Sequence, residues 1–362
     1  MTRLLILGNP QFGYLNATYY YSRYLRHRFE ITYIGWDHGW PKRSVDGVRV
    51  VYVSRAGPKP VRYTRFLLTI LKHARQDFDL RYATFFPLCS LVRLLTGSSS
   101  SWVVDIRSAS INPSAFNRFL RDSLIRCEAA LFRNVVLLSA GVARRLRIER
   151  AHIVPLGADE ISASEKTFAD LRLLFVGTLY NRRLEDTIRG IKRYLESGAD
   201  PKSVHYTIVG EGIVGEDQML AELVAELGLG DNVTLTGRIP HDMLGPIFDD
   251  HNVGVSYIPI TDYFDHQPVT KTFEYLRSGM PVVATRTSAN VDVLRSNPDD
   301  GVLIDDNPES FCEGLRSMAE RLPAMKSGEI RKRSLQYGWR SIIEDNLEPY
   351  LLGLVSENSD DS

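Results

Sequence analysis

Twice along its 362 residues the chain runs through short apolar segments separated by segments with helical spacing, and this doubled alternation limits the possible folds more than any other feature. Strand-like runs fall at 4–7, 30–35, 48–53, 79–84, 101–106, 134–139 and 152–155, with helical patterns at 16–28, 62–75, 87–96, 114–132 and 140–148. Several runs are apolar on both faces, as strands covered on two sides must be. A polar stretch at 157–170 interrupts the pattern and reads as a linker. It then resumes with runs at 171–177, 204–210, 232–237, 252–259, 281–285 and 301–305, and with helices at 184–196, 217–227, 241–249, from Pro268, near 289–295 and at 309–321. Strands alternating with helices imply a mostly parallel sheet in each half. The expected fold is α/β: two doubly wound, Rossmann-like domains, 1–160 and 161–338, facing each other across a crevice where strand ends converge. A final helix over 339–355 carries Ile342, Ile343, Leu347, Tyr350 and Leu351 on one stripe and is expected to cross back over the domain boundary. The tail 356–362 has nothing to pack and is expected to be disordered.

Composition sets the compartment. Cys89, Cys127 and Cys312 are too few and too scattered for a disulfide scaffold or a thiolate metal site, which points to the cytoplasm. No apolar run approaches 18 residues, and the four aliphatic residues before Gly8 read as a first strand rather than a signal segment. Charge is more informative, although it sums to zero. Residues 1–160 hold 24 Lys and Arg against 11 Asp and Glu, whereas 161–362 hold 20 against 33. A basic first half and an acidic second half suggest an anionic partner for the first only. Residues 62–75 and 118–126 mix aromatic and aliphatic residues with arginine and lysine, a composition suited to lying on an anionic membrane or, equally, to a buried core face. Neither carries a nucleic-acid motif, so no nucleic-acid partner is expected.

The candidate site residues gather at strand-to-helix turns. Gly8 and Gly13 follow the first strand, and glycines there let backbone approach a ligand or simply make a tight turn. In the second half, Gly177 and Thr178 precede Arg182 and Arg183, whose forked donors suit phosphate; Arg183, opening the helical pattern, is preferred. Gly210 and Gly212 repeat the arrangement after the next strand. The densest cluster starts at Pro268, read as the first helical residue, so that Val269, Thr270 and Lys271 offer unbonded N–H groups to a diphosphate. Lys271 neutralises phosphate, and Glu274, three residues on, accepts two sugar hydroxyls; an ordinary surface ion pair is the alternative. Asp77-Phe-Asp79 has D-x-D spelling but stands at the entry of a first-half strand, and no metal or cofactor is expected.

These stretches resemble the retaining glycosyltransferases of the group-1 class, family 4, which have the GT-B fold. FVGTLYNRRLED (175–186), YTIVGEG (206–212), VTLTGRIP (233–240) and TKTFEYLRSGMPVVAT within 268–285 carry the resemblance, with VVLLSAGVARRL and IVPLGAD matching more loosely. It implies a UDP- or GDP-sugar donor, a glycan or polyprenyl-linked acceptor in envelope or exopolysaccharide synthesis, retention by front-face attack, and a place at the inner face of the membrane. Where such enzymes clamp the diphosphate with arginine and lysine, this chain has Thr178 and Arg183. Of their paired glutamates Glu274 is the second, and the first falls on His266. Where many relatives carry a His-Asp pair, Asp105 and Arg107 stand, with Asp105 orienting Arg107 or facing the acceptor. The alternatives are a nucleotide-sugar epimerase of the same fold and a non-catalytic nucleotide-binding scaffold; the second gains if Arg183 and Lys271 are tied up in internal ion pairs.

Overall fold

The structure is a computed structural model and describes residues 1–14, 16–96 and 101–360. The chain forms two units, Met1–Leu156 with Trp339–Ser362, and Gly157–Gly338.

In the first unit β1 (Thr2–Leu7), β2 (Phe29–Asp37), β3 (Val48–Ser54), β4 (Leu80–Thr84), β5 (Trp102–Ile106), β6 (Asn134–Leu137) and β7 (His152–Ile153) make one sheet, in the order β3-β2-β1-β4-β5-β6-β7. Every pairing is parallel. The connecting helices are α1 (Asn16–Leu25), α2 (Lys59–Ala74), α3 (Cys89–Thr96), α4 (Ala115–Ala129) and α5 (Ala140–Leu146). Side-chain alternation divides β1 between two cores: Leu5 and Leu7 pack with Trp36, Phe66 and Trp102, while Leu4 and Ile6 pack with Tyr21, Tyr33 and Trp339. A sheet apolar on both faces requires cover on both.

The second unit repeats the plan with β8 (Leu171–Val176), β9 (Val204–Val209), β10 (Val233–Gly237), β11 (Val253–Ser256), β12 (Val282–Thr285) and β13 (Gly301–Ile304), in the order β10-β9-β8-β11-β12-β13. Its helices are α6 (Leu184–Glu196), α7 (Glu216–Glu226), α8 (Gly245–Asp249), α9 (Thr270–Arg277), α10 (Ser288–Arg295), α11 (Pro308–Arg321) and α12 (Ser327–Arg333). The stretch expected to be a linker belongs to this unit and is firmly bonded. Ser162 and Ser164 donate to the Asp249 carboxylate, Lys166 donates to the Phe248 carbonyl, and Arg331 pairs with Glu165. Its polar residues find partners within the unit, which moves the boundary from 160 to 156.

The chain then returns to the first unit through α13 (Trp339–Ile342), a π turn over Ile343–Leu347, and α14 (Glu348–Asp360). Trp339 is buried, stacked on Tyr20 at 5.2 Å and edge-on to Tyr21 at 6.1 Å. The His152 ring lies flat on Tyr350 at 4.0 Å and bonds to Asn346 Oδ1 at 2.7 Å. Helix α14 continues through Ser356 to Asp360, where the sequence suggested disorder; each added residue gains one backbone bond on a helix anchored by Leu351 and Leu354. Residues 361 and 362 lie outside the described residues.

Candidate active site

Doubly wound sheets bind ligands beyond the carboxyl ends of their strands, where strand order reverses. In the second unit that reversal falls between β8 and β11, whose exits, Gly177 and Tyr257, adjoin the start of α9. Three contacts set α9 in place. Gly254 of β11 leaves room for the Tyr275 ring, which an added Cβ would meet at 2.2 Å. The Tyr275 hydroxyl accepts the Val176 N–H at 2.8 Å, and Thr272 Oγ1 bonds Ser256 Oγ at 2.6 Å. The helix begins at Thr270, not Pro268, because Val269 is extended (φ −117°, ψ 136°) and forms the cap without a side-chain bond. The N–H groups without intrahelical acceptors are thus those of Val269, Thr270, Lys271 and Thr272.

Lys271 is the central finding. It is only 9% exposed, its ammonium lies 3.4 Å from the Phe175 ring centroid, and it donates to no acceptor among the described residues. Burial pushes its pKa well below the ordinary lysine value, the nearby Arg182 guanidinium adds to this, and Glu274 opposes both. Gly177, at φ 146°, belongs to the same construction, since an added Cβ would stand 3.2 Å from Lys271 Nζ. Glu274 is also buried and pairs not with Lys271 but with His241, whose Nε2 lies 3.0 Å from its Oε1. A surface ion pair between Lys271 and Glu274 is therefore excluded. Two buried groups of opposite charge, one unpartnered and the other facing a half-exposed histidine, suit a ligand bearing phosphate and hydroxyls.

The two adjacent arginines have opposite fates. Arg183, with φ 54°, pairs with Asp186 at 2.8 Å and Asp306 at 3.1 Å. Those carboxylates also hold the loop after β11: Asp186 accepts from Tyr257 Oη at 3.0 Å and Asp306 from the Ile260 N–H at 3.0 Å. Arg183, preferred from sequence as the clamp, is thus a bracket for that loop, because two acids neutralise it. Arg182 instead lies over the Phe264 ring, 4.6 Å from its centroid, in no hydrogen bond or ion pair among the described residues. Burial lowers its pKa as well. The internal pairing that would favour a scaffold reading holds for Arg183 and not for Lys271.

Beside this cluster, Gly177, Thr178, Gly210, Gly212, Arg238 and Ile239 border a cavity of about 370 Å³. An added Cβ at Gly210 would stand 1.9 Å from the Gly177 carbonyl, so the two turns pack backbone on backbone. The Gly212 N–H donates to Asp217 at 2.5 Å, while those of Ile213 and Val214 donate to Glu216. These amides are occupied by the first turn of α7 and are not available to phosphate. His266 stands in the loop before α9, 3.4 Å from Asp265, whose carboxylate takes bonds from the Ser288 N–H and hydroxyl at the start of α10.

The first-unit candidates turn inward. Asp105 is fully buried in β5 with Arg107 3.8 Å away, while Arg107 donates to the carbonyls of Val154 and Pro155. Arg107 thereby ties the exit of β7 to the end of β5. Gly8 makes room for Tyr33, and Gly13, at φ 87°, lies against the Arg43 side chain, so the first-strand turn is filled by the protein's own groups. Asp79, half of the D-x-D spelling, accepts the Arg3 N–H at 2.6 Å. Desolvation raises the Asp105 pKa to about 6, with Arg107 opposing. A raised carboxyl pKa means that the folded chain binds more protons than the unfolded one between about pH 4 and pH 6, so stability falls as pH rises through that window. Asp105→Asn should therefore gain about 1–3 kcal/mol relative to wild type between pH 4 and pH 7 in denaturant titrations. A difference independent of pH would remove Asp105 as the source.

Three contributors escaped the sequence. Asp306 and His241 reach the cluster across long sequence separations without a local signal. Phe175 had one, since strand alternation puts it on the same side as Gly177.

Residues 170–321 match the family model described as glycosyl transferases group 1. No curated protein matches the chain in sequence. Among solved structures, sucrose-phosphate synthase from Thermosynechococcus elongatus superposes with a TM-score of 0.75 at 15% identity, covering 98% of this chain and 100% of that one. Anabaena HepE in complex with UDP and glucose gives 0.72 at 13%, covering 98% and 100%. WaaG, a glycosyltransferase involved in lipopolysaccharide biosynthesis, gives 0.65 at 14%, covering 94% and 98%. These likenesses establish the fold, GT-B, from two parallel sheets of doubly wound order. The family match falls on 170–321, within the second unit, so the likeness to the group 1 glycosyltransferases is shown for that segment.

Proposed function

We propose that the chain is a family 4, retaining enzyme that moves a hexosyl group from a UDP- or GDP-sugar to a glycan or polyprenyl-linked acceptor in envelope or exopolysaccharide synthesis, at the cytoplasmic face of a membrane. The observation that carries the donor half is the unpartnered Lys271 ammonium at the start of α9. A diphosphate supplies the charge that Lys271 and Arg182 lack, and the N–H groups of 269–272 add dipoles aimed at the leaving group. The neighbouring 370 Å³ cavity accommodates the base, and Glu274 takes ribose hydroxyls once His241 yields its place. UDP in HepE and the lipopolysaccharide role of WaaG favour this donor and this setting.

In this reading the bond between the anomeric carbon and the diphosphate oxygen breaks while the acceptor hydroxyl attacks the same face. The acceptor proton passes to the departing phosphate oxygen, so no protein base is required, in keeping with the burial of Asp105. The test is a panel of UDP- and GDP-sugars, with and without acceptor, followed by proton NMR of the product anomer. Transfer with retention is expected, and Glu274→Gln should raise the donor KM about tenfold, the scale of one bond to a charged group. Donor isomerised without acceptor would establish an epimerase instead, and an unchanged KM would return Glu274 to a structural role.

A further inference from the structure

We propose that the outer face of α3 and the first half of α4 docks on an anionic lipid bilayer, which deepens the reading of a membrane-borne acceptor and rests on it only for its purpose. Three independent observations converge there. Leu91, Leu94 and Leu95 of α3 are 43–53% exposed, and Phe116, Phe119 and Leu120 of the adjacent α4 are 50–69% exposed. A monomer rarely leaves so many large apolar side chains in water on neighbouring helices. The spacing 116, 119, 120, 124 is one outward helical stripe, whereas the core alternative holds for Ile125 of the same helix and for Phe66 and Ile70 of α2.

Charge selects the partner. Lys59, Arg62, Arg65, Arg93, Arg118 and Arg121 stand on α2, α3 and α4, and the only carboxylates on these helices are Asp122 and Glu128. Both are spent inside the fold. Asp122 pairs with Arg145 at 3.0 Å and accepts the Ser110 N–H. Glu128 is buried and accepts the N–H groups of Leu88 and Ser90 at 2.5 and 2.8 Å. These helices are left with a positive balance: Lys59 and Arg121 are exposed, Arg62 and Arg93 half-buried, and Arg65 and Arg118 keep their charge while bonding backbone carbonyls, a composition suited to a lipid interface.

The turn before α3 is built to the same end. Leu88 has φ 71°, a conformation disfavoured for a leucine, and its side chain is nevertheless 48% exposed. The Glu128 carboxylate holds that turn from below, so the strain is retained to present an apolar side chain outward.

The test is sedimentation of the full chain with vesicles of phosphatidylcholine alone, or of phosphatidylcholine and phosphatidylglycerol in equal parts, at about 0.05 M and about 0.5 M salt. Wild type should pellet with the anionic vesicles at low salt and be released at high salt. Phe116→Ser with Phe119→Ser, both surface positions, should lower the partition coefficient by about tenfold or more while the melting temperature and UDP affinity stay unchanged. Wild type left in the supernatant with anionic vesicles at low salt, or a double variant that pellets like wild type, would overturn the proposal. So would a wild-type dimer that the double variant dissociates, since the face would then belong to a second copy. Loss of UDP binding by wild type strikes the donor reading alone, so the two fail separately.

Discussion

Replacing Lys271 by methionine is expected to raise the melting temperature of the ligand-free protein while nearly abolishing transfer. The wild-type ammonium sits in a site where burial and Arg182 disfavour its charge, and it has no hydrogen-bond acceptor among the described residues. Its contact with the Phe175 ring, about 2 kcal/mol at best, opposes a desolvation cost of several kcal/mol per ion, so the cost wins. Methionine keeps much of the volume and removes the charge, with an expected gain of a few degrees in a unit of this size. Diphosphate affinity should fall by about 1–3 kcal/mol and kcat by about 10²–10³, as when a preorganised donor to developing charge is lost. The proton balance gives a further check. Because the folded pKa is depressed, the unfolded chain binds more protons between that value and the free-lysine value, and wild-type stability rises with pH across this window. UDP restores the charge, so its binding should take up protons there, measurable by calorimetry in buffers of different ionisation enthalpy. Methionine should eliminate both effects. A melting temperature that falls, with UDP affinity intact, would show that Lys271 serves packing rather than the donor.

The second large effect separates Arg182 from Arg183. Arg182→Ala loses a ring contact and little else in the free protein, so stability should change by less than about 1 kcal/mol, while diphosphate affinity should drop about tenfold or more. Arg183→Ala should do the reverse. It leaves Asp186 and Asp306 without their shared countercharge at the loop that Tyr257 and Ile260 anchor, at a cost of about 1–3 kcal/mol, with donor affinity less affected than in Arg182→Ala. Thermal melts and UDP titration on the two variants decide it. The opposite pattern would restore Arg183 to the clamp.

This pair also marks what could be read in the sequence. Strand and helix order were legible because apolar periodicity is local, and both sheets follow it, but α12 was missed because Ser327–Arg333 contains a single large apolar residue, Ile330. Lys271, Glu274 and the glycine turns were visible because helix starts and strand exits have their own residue preferences. The choice between two neighbouring arginines was not, since one of the acids that captures Arg183, Asp306, lies 123 positions away. Burial of Asp105 was hidden for a similar reason: a lone acid in a strand looks alike whether it faces water or the layer of Tyr21 and Tyr82 beside it.

The return of residues 339–360 to the first unit has a consequence for the order of biosynthesis. During translation, residues 1–156 emerge before the segment that completes their core, and the whole second unit, 157–338, is made in the interval. At about 5–20 residues per second this delay lasts roughly 10–40 s, in which Tyr21 and the β1 face holding Leu4 and Ile6 wait for Trp339 and Leu347. The later-made unit, continuous in sequence, can finish folding first, and the earlier one is sealed last, when its tryptophan arrives.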